Sequence, residues 1–195
     1  MNTKDKIILS TLDLASKYGL KSLSMSQIAD SVGIKKPSLY NHFNSKEELI
    51  KEMYEYIRNK SKQDIPNISL ENIINQNTYD ILYGAIMNYK KMIMNEEMFK
   101  FYNVIYSERT TNTDASLIVI RETEKMINAT KELFKFLKNN NKLFVDDIEI
   151  AAITYSLTIH SLIDYEIDCQ KSNHAYDENN IKNYIKWFCN QYCKE

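Results

Sequence analysis

The sequence is poor in the two residues that most often form turns and break helices. It has only three Gly and two Pro in 195 residues, too few for the many tight turns of a β-sandwich or barrel. Both prolines, Pro37 and Pro66, lie near expected helix boundaries. Apolar residues recur at helical spacing through most of the chain. The sequence therefore predicts an all-α fold of about nine helices.

Other features that the sequence lacks argue against whole classes of protein. No apolar run approaches the roughly 18 residues of a membrane span, and no apolar segment follows Met1 as in a signal peptide. We therefore expect a cytoplasmic protein. The sequence also has no phosphate loop, no Gly-rich dinucleotide turn and no His-Glu-x-x-His motif. We expect no enzyme activity, and hence no catalytic residue, cofactor or metal site.

The three cysteines, Cys169, Cys189 and Cys193, all lie in the last 27 residues. An odd, clustered set does not resemble a disulfide framework, and we interpret these residues as reduced thiols in packing or at the surface. Buried thiols on apolar helices are usually inert. An alternative is that His160 and His174 near Cys169, or the pair Cys189 and Cys193 one helical turn apart, bind a metal or sense oxidants.

Residues 24–46 are the most informative stretch, with a candidate DNA-binding motif at about residues 24–43. A first short helix carries one apolar face, formed by Met25, Ile28, Ala29 and Val32. Gly33 follows where a helix can end in the left-handed conformation, and Pro37 suits the first turn of a second helix. Two such helices form a helix-turn-helix, whose second helix fits the DNA major groove. The alternative is an ordinary helical hairpin.

The flanking residues support the same interpretation. A preceding helix ends near Gly19. Ser24 with Gln27, and Ser45 with Glu48, have the spacing of capping boxes that begin the next helices. The chain therefore has a three-helix unit followed by a longer helix.

At this point the sequence resembles the TetR family of bacterial transcriptional regulators. Residues 14–49 contain, in family order, an aromatic-Gly helix end, Ile-Ala, Val-Gly-Ile, Leu-Tyr, His-Phe and Ser-Lys-Glu-Glu-Leu. The rest of the chain matches only in length and helical pattern. The resemblance implies a helix-turn-helix DNA-binding domain followed by a larger helical domain that binds an effector and dimerises. It also implies a regulator of transcription, which we expect to be a repressor.

Transferring the family pattern to this chain gives the DNA-binding residues. The resemblance implies base-edge contacts from Lys36, Ser38 and Asn41, with Ser26 at the edge of the same surface. It implies phosphate contacts from Tyr40, His42, Lys46 and Ser24, and Pro37 completes the set. Lys46 also lies in the first turn of a helix, where backbone N–H groups favour phosphate. The run Lys35-Lys36-Pro37 departs from many relatives, which leaves the base preference open.

The net charge of −1 hides a difference between the two ends of the chain. Residues 1–62 contain 11 Lys and Arg against 7 Asp and Glu, whereas residues 63–195 contain 14 against 19. A basic N-terminal part on an acidic body suits the binding of a polyanion through one end. Chance would also explain so small a difference, so the asymmetry only supports the motif.

The expected domains are 1–46 for DNA binding, 47–66 for a connecting helix and boundary, and 67–195 for effector binding and dimerisation. A break at residues 64–67 marks the boundary. Further helices are expected at about 70–94, 95–109, 114–138, 146–170 and 177–195.

The last two helices have more apolar surface than one neighbour can cover. In the helix at 146–170, one stripe runs through Ala152, Tyr155 and Ile159, and a second runs along another side. In this family the last two helices form a homodimer, which predicts an inverted-repeat operator. The alternative is that a neighbouring helix of the same chain covers the second stripe. The expected interface consists of Ile150, Ile153, Leu157, Tyr184, Trp187 and Phe188.

The resemblance also implies an effector cavity in the second domain. The candidate residues are Tyr83, Met87, Phe99, Tyr102, Tyr106, Met126 and Tyr155. Their aromatic and thioether side chains favour a small, apolar or flat aromatic effector, although the same residues also suit an ordinary core. Two alternatives to a ligand-released repressor stay open: a TetR-like protein that acts mainly through a protein partner, and a thiol- or metal-responsive regulator.

Overall fold

A computed structural model describes residues 1–63 and 75–193. Within them the chain forms nine α-helices, a 3-10 turn at Leu20–Ser22 and no strand, which confirms the all-α prediction. The helices are α1 (Thr3–Tyr18), α2 (Met25–Val32), α3 (Lys36–Tyr40), α4 (Lys46–Gln63), α5 (Thr78–Ile93), α6 (Glu96–Glu108), α7 (Thr113–Asn139), α8 (Ile148–Ser172) and α9 (Asn180–Tyr192). None of these helices has both the length and the hydropathy needed to cross a membrane.

Most helix ends agree with the sequence prediction to within three residues. The start of α5 does not. It was expected near residue 70, and residues 70–74 lie outside the described part of the chain, but residues 75–77 are not helical. Asn77 is the reason, because its side-chain oxygen accepts the Asp80 N–H at 2.8 Å and so satisfies a donor of the first turn.

The described helices fall into two compact units. Unit 1 comprises Met1–Pro66 and Met92–Ile120, and it groups α6 with α1 and α4. Its core is formed by fully buried residues of α1, α2, α3, α4 and α6 and of the turn after α3, among them Ile7, Leu12, Ile28, Leu39, Phe43, Leu49, Met53 and Ile105. An ion pair joins α1 to α6, with Lys100 Nζ 2.8 Å from Asp13 Oδ1. The pair holds the pKa of the Asp13 carboxyl below its usual value.

Unit 2 comprises Asn67–Lys91 and Arg121–Glu195. Its core has an aromatic centre, in which the ring of Phe134 lies 5.2 Å from that of Tyr155 and 5.5 Å from that of Phe188. Lys90 of α5 pairs with Glu166 of α8 at 2.6 Å, which ties these two helices together. The domain boundaries expected from the sequence, including residue 46, stay a prediction about independent folding.

Candidate nucleic-acid interface and cavity

The turn between α2 and α3 follows from local hydrogen bonds. The Gln27 N–H donates to Ser24 Oγ at 3.2 Å and Gln27 Oε1 accepts the Ser24 N–H at 2.8 Å, which confirms the predicted capping box. At the other end Gly33 has φ 75° and ψ 29°, the left-handed conformation that Gly adopts without strain. The Ile34 N–H then donates to the Ala29 carbonyl at 3.0 Å, so α2 ends and the chain turns.

The second helix is short and separates its two faces sharply. Leu39 and Phe43 are almost fully buried and anchor it to unit 1. The α-helix itself ends at Tyr40, and the Phe43 N–H still donates to the Leu39 carbonyl at 3.1 Å, so one further turn carries Phe43 inward. The exposed side chains are those expected from the sequence: Lys36, Pro37, Ser38, Tyr40, Asn41 and His42.

Hydrogen bonds at the edge of this surface bear on the predicted phosphate contacts. Ser24 Oγ donates its proton to Gln27 Oε1 at 2.8 Å, and phosphate oxygens need a donor, so this geometry does not favour Ser24 as a phosphate ligand. Lys46 Nζ donates to the Leu23 carbonyl at 2.5 Å and to that of Lys21 at 3.5 Å. Since an ammonium has three donors, one N–H of Lys46 is left for phosphate. Ser26 is half-buried in the first turn of α2.

The predicted capping box at α4 differs in detail. The Glu48 N–H donates to Ser45 Oγ at 3.1 Å as expected. The Glu48 carboxylate, however, accepts the N–H of Asn44 at 2.7 Å, one residue earlier than in a standard capping box. The contact fixes the turn that leads from Phe43 into α4.

Comparison with known proteins places this geometry in a family. Residues 7–53 match the family model "Bacterial regulatory proteins, tetR family". The biofilm operon icaADBC HTH-type negative transcriptional regulator IcaR of Staphylococcus aureus (strain Newman) is 31% identical over 144 residues, 69% of this chain and 77% of that protein. The chain belongs to the TetR family. It is a TetR-family transcriptional regulator, and its family and relatives are DNA-binding regulators and not enzymes.

Solved structures of TetR-like regulators share the fold. The flavonoid-responsive regulator FrrA is 20% identical with a TM-score of 0.68, and 99% of this chain and 98% of that one are covered. The SmeT–triclosan complex is 12% identical with a TM-score of 0.70, and 100% and 93% are covered. At these identities the likeness establishes the fold and not the ligand.

Unit 2 contains a cavity of about 160 Å³ between α5, α7 and α8. It is lined by Leu82, Ala85, Ile86, Tyr89, Met126, Ala129, Thr130, Leu133, Tyr155, Ser156 and Ile159. Of the seven candidate effector residues, Met126 and Tyr155 line this cavity. The sequence did not identify Tyr89 and Ser156 as cavity-lining residues, although both lie on helices that were expected to turn one face toward the core.

The other five candidates lie elsewhere. Tyr83 stacks on Tyr79 one turn earlier, with ring centres 5.9 Å apart, and Met87 of α5 is half-buried outside the cavity lining. Phe99, Tyr102 and Tyr106 belong to α6 in unit 1, where Tyr102 and Tyr106 pack on the core of that unit.

Several residues that line the cavity carry polar groups, but not all of these groups face it. The Tyr155 hydroxyl and Ser156 Oγ are buried, have no hydrogen-bond partner and have almost no surface exposed to the cavity. Burial raises the pKa of the Tyr155 phenol far above its ordinary value, so the hydroxyl keeps its proton. The Tyr89 hydroxyl lies 3.1 Å from His160 Nδ1. The cavity therefore suits an apolar molecule that carries a group able to accept or donate a hydrogen bond.

The two apolar stripes of α8 differ in their exposure to solvent in the single chain. Ala152, Tyr155 and Ile159 are buried, whereas Ile150, Ile153 and Leu157 are 61%, 40% and 42% exposed. On α9, Trp187 is 52% exposed and stacks on half-buried Tyr184, with ring centres 5.8 Å apart. Phe188 differs from its expected place, because it is buried beside Phe134 and Tyr155. It lies beneath the exposed apolar face and not on it.

Proposed function

We propose that this chain is a repressor that binds an inverted-repeat operator as a homodimer and releases it when a small apolar or aromatic effector fills the unit 2 cavity. The observation that carries the proposal is the exposed face of α3 and the turn after it, which offers Lys36, Ser38 and Asn41. Leu39 and Phe43 anchor this segment to unit 1. Amide, hydroxyl and ammonium groups on a rigid helix are what base edges in the major groove require. The description of IcaR as a negative regulator supports repression.

The exposed apolar face supports the homodimer. Ile150, Ile153, Leu157 and Trp187 are large apolar side chains on two helices of one unit, and a contiguous face of this kind marks a surface that associates. A two-fold pair of identical chains covers such a face with its own copy. Two helix-turn-helix units related by a two-fold axis then read two half-sites in opposite orientation.

The test of the proposal is binding to the DNA that flanks the protein's own gene. Fluorescence anisotropy followed by footprinting should reveal one discrete inverted-repeat site, bound by two chains. Scrambled DNA of equal length serves as the control. Equal affinity for both DNAs, with no footprint, would contradict the proposal and favour action through a protein partner.

Two substitutions at the DNA-binding surface should have different effects. Asn41→Ala should cost about 1 to 3 kcal/mol on the correct operator only, because an amide reads a base edge. Lys46→Ala should weaken binding to every sequence and lower the salt slope by about one unit, because a phosphate contact is lost. Binding isotherms at several salt concentrations separate the two. A uniform loss for Asn41→Ala, with no change of specificity, would reverse the assigned roles.

Because Lys46 also holds two carbonyls of the turn before α2, its effect needs a folding control. Lys46→Arg keeps a charge and donors at this position, so it should restore most of the salt slope. Equal melting temperatures of the parent and of Lys46→Ala would show that the weaker DNA binding does not come from unfolding.

The unpaired hydroxyl of Tyr155 gives a test of the cavity. Tyr155→Phe should stabilise the ligand-free protein by about 1 to 3 kcal/mol, because it removes a buried hydroxyl without a partner. A change of 1 kcal/mol moves the melting temperature by about 2 to 4 °C in a chain of this size. The same variant should bind phenolic probes such as triclosan and a flavonoid as the parent does, because the hydroxyl itself is not exposed to the cavity. Thermal melting with and without each probe measures both effects.

Tyr184→Phe is the matched control, since its ring lies 5.7 Å from that of Tyr155 but its hydroxyl bonds to Thr158. It should destabilise the protein by about 0.5 to 1.5 kcal/mol. If Tyr155→Phe lowers the melting temperature as Tyr184→Phe does, the Tyr155 hydroxyl has a hydrogen-bond partner in the folded protein.

A further inference from the structure

The C-terminal end of α9 brings two thiols together at the surface of unit 2. Cys189 lies in the last turn of the helix, and Cys193, in an extended conformation, is the residue that follows it. The Cys193 N–H donates to the Cys189 carbonyl at 2.8 Å. The two side chains are hydrogen-bonded to each other and are only half-buried. Of the three thiols only Cys169 is buried, so an argument for inertness from burial applies to Cys169 and not to Cys189 or Cys193.

The dithiol is held in place and borders open space. The Phe144 N–H, from the segment before α8, donates to the Tyr192 carbonyl at 2.7 Å and so anchors the chain between the two cysteines. Both cysteines line a groove of about 750 Å³ together with Tyr79 of α5. A thiophilic reagent carrying an aromatic group has room to enter, and its ring can lie against Tyr79.

The position of the two sulfurs suggests which chemistry fits the pair. Cys193 is extended, so the Cβ spacing of a regular helix does not apply to it. The hydrogen bond between the two side chains brings their sulfur atoms close together. Two sulfurs placed in this way can be bridged by a single atom that bonds to both.

The bridging atom must be one that needs only two protein ligands, because the site offers two sulfurs. Zinc in a structural site takes four protein ligands. Within residues 1–63 and 75–193 no group of three or more His, Cys, Asp or Glu side chains could hold a metal ion. A trivalent arsenic atom that already carries one organic substituent has only two valences left, and these match two thiols.

We propose that Cys189 and Cys193 form a bidentate site for monosubstituted organic compounds of trivalent arsenic, with an aryl substituent in the groove beside Tyr79. With an arylarsine oxide, two As–S bonds form and the As–O double bond breaks. The oxygen leaves as one water molecule with the two thiol protons, and arsenic remains trivalent throughout. Hydrogen bonding from Cys193 lowers the pKa of the Cys189 thiol, which favours Cys189 as the first nucleophile.

The test uses the full chain and phenylarsine oxide, and intact-mass spectrometry reads the adduct. One arsenical per chain should bind with the loss of one water, resist excess glutathione and be removed by 2,3-dimercaptopropanol. Peptide mapping of the parent protein should place it on the peptide that contains both Cys189 and Cys193. This measurement needs no variant, so it does not depend on how a variant folds. It is also independent of DNA binding, so it stands apart from the proposed function.

Single substitutions test the need for both sulfurs. Cys189→Ser and Cys193→Ser should each weaken binding by on the order of 100-fold, because the second As–S bond forms within one molecule. The matched control, Cys169→Ala, should bind as the parent does. Two results would overturn the proposal: an adduct on Cys169, or unchanged affinity in either serine variant.

Discussion

Leu157→Glu is expected to convert the proposed homodimer into monomers and to lower affinity for the proposed operator by a factor on the order of 100 or more. Leu157 is 42% exposed in the single chain, on the stripe of α8 that unit 2 leaves uncovered. In a two-fold dimer this side chain would be buried, and an unpaired buried carboxylate costs several kcal/mol. A monomer then binds one half-site and loses the gain from linking two weak contacts.

Leu117→Glu is the matched control. Leu117 is also 42% exposed, but it belongs to the part of α7 in unit 1, whereas the residues of the expected interface belong to unit 2. Analytical ultracentrifugation beside anisotropy measures assembly and DNA binding on the same samples. The control should remain dimeric and bind normally. If Leu117→Glu dissociates and Leu157→Glu does not, the interface lies elsewhere. A monomeric variant that binds the full operator with the affinity of the parent would contradict the two-fold model.

Features fixed by neighbours in sequence were predictable. The capping box at Ser24 and Gln27 and the left-handed Gly33 depend on residues within one turn, so residue type and spacing were enough to predict them. The exposed face of α3 followed in the same way, because Leu39 and Phe43 fix which side of a short helix turns inward. Hydrogen bonds across the turn were not predictable, and these link Lys46 to Leu23.

The candidate effector residues show what a sequence pattern cannot predict, namely which of two cores a side chain enters. An aromatic residue at helical spacing indicates that a side chain faces inward, but not which core it enters. Tyr102 and Tyr106 do pack inward, yet they pack on the core of unit 1, because α6 groups with α1 and α4. Tyr155 lines the cavity because α8 packs in the unit that also contains α5. Only tertiary contacts separate these cases.

The same limit explains Phe188. The stripe on α9 was visible in the sequence, but the rotation of α9 about its axis was not. The structure turns Phe188 toward Tyr155, with ring centres 4.8 Å apart, and leaves Trp187 outward. Trp187 and Phe188 are adjacent in sequence, so a rotation of α9 by one residue position decides which of them is buried and which is exposed.

Phe43→Ala is expected to abolish operator binding and to leave the dimer intact. Phe43 is 1% exposed, and removing a fully buried phenylalanine costs about 3 to 5 kcal/mol. The loss is comparable with the lower end of the roughly 5 to 15 kcal/mol that stabilises a typical protein. Because Phe43 anchors the end of α3, the DNA-binding surface should lose its geometry first. Circular dichroism, ultracentrifugation and anisotropy together measure folding, assembly and DNA binding.

Phe134→Ala applies the same change to unit 2, where Phe134 is also fully buried. It removes the ring that packs on Tyr155 and Phe188, so it should weaken the dimer and the binding of probes in the cavity. Its chains should still bind a single half-site, because the core around Phe43 is untouched. Loss of DNA binding in Phe43→Ala, together with loss of the dimer in Phe134→Ala, is the result expected if the DNA-binding domain folds around its own core. Loss of the dimer in Phe43→Ala, or loss of half-site binding in Phe134→Ala, would contradict the expected domain organisation.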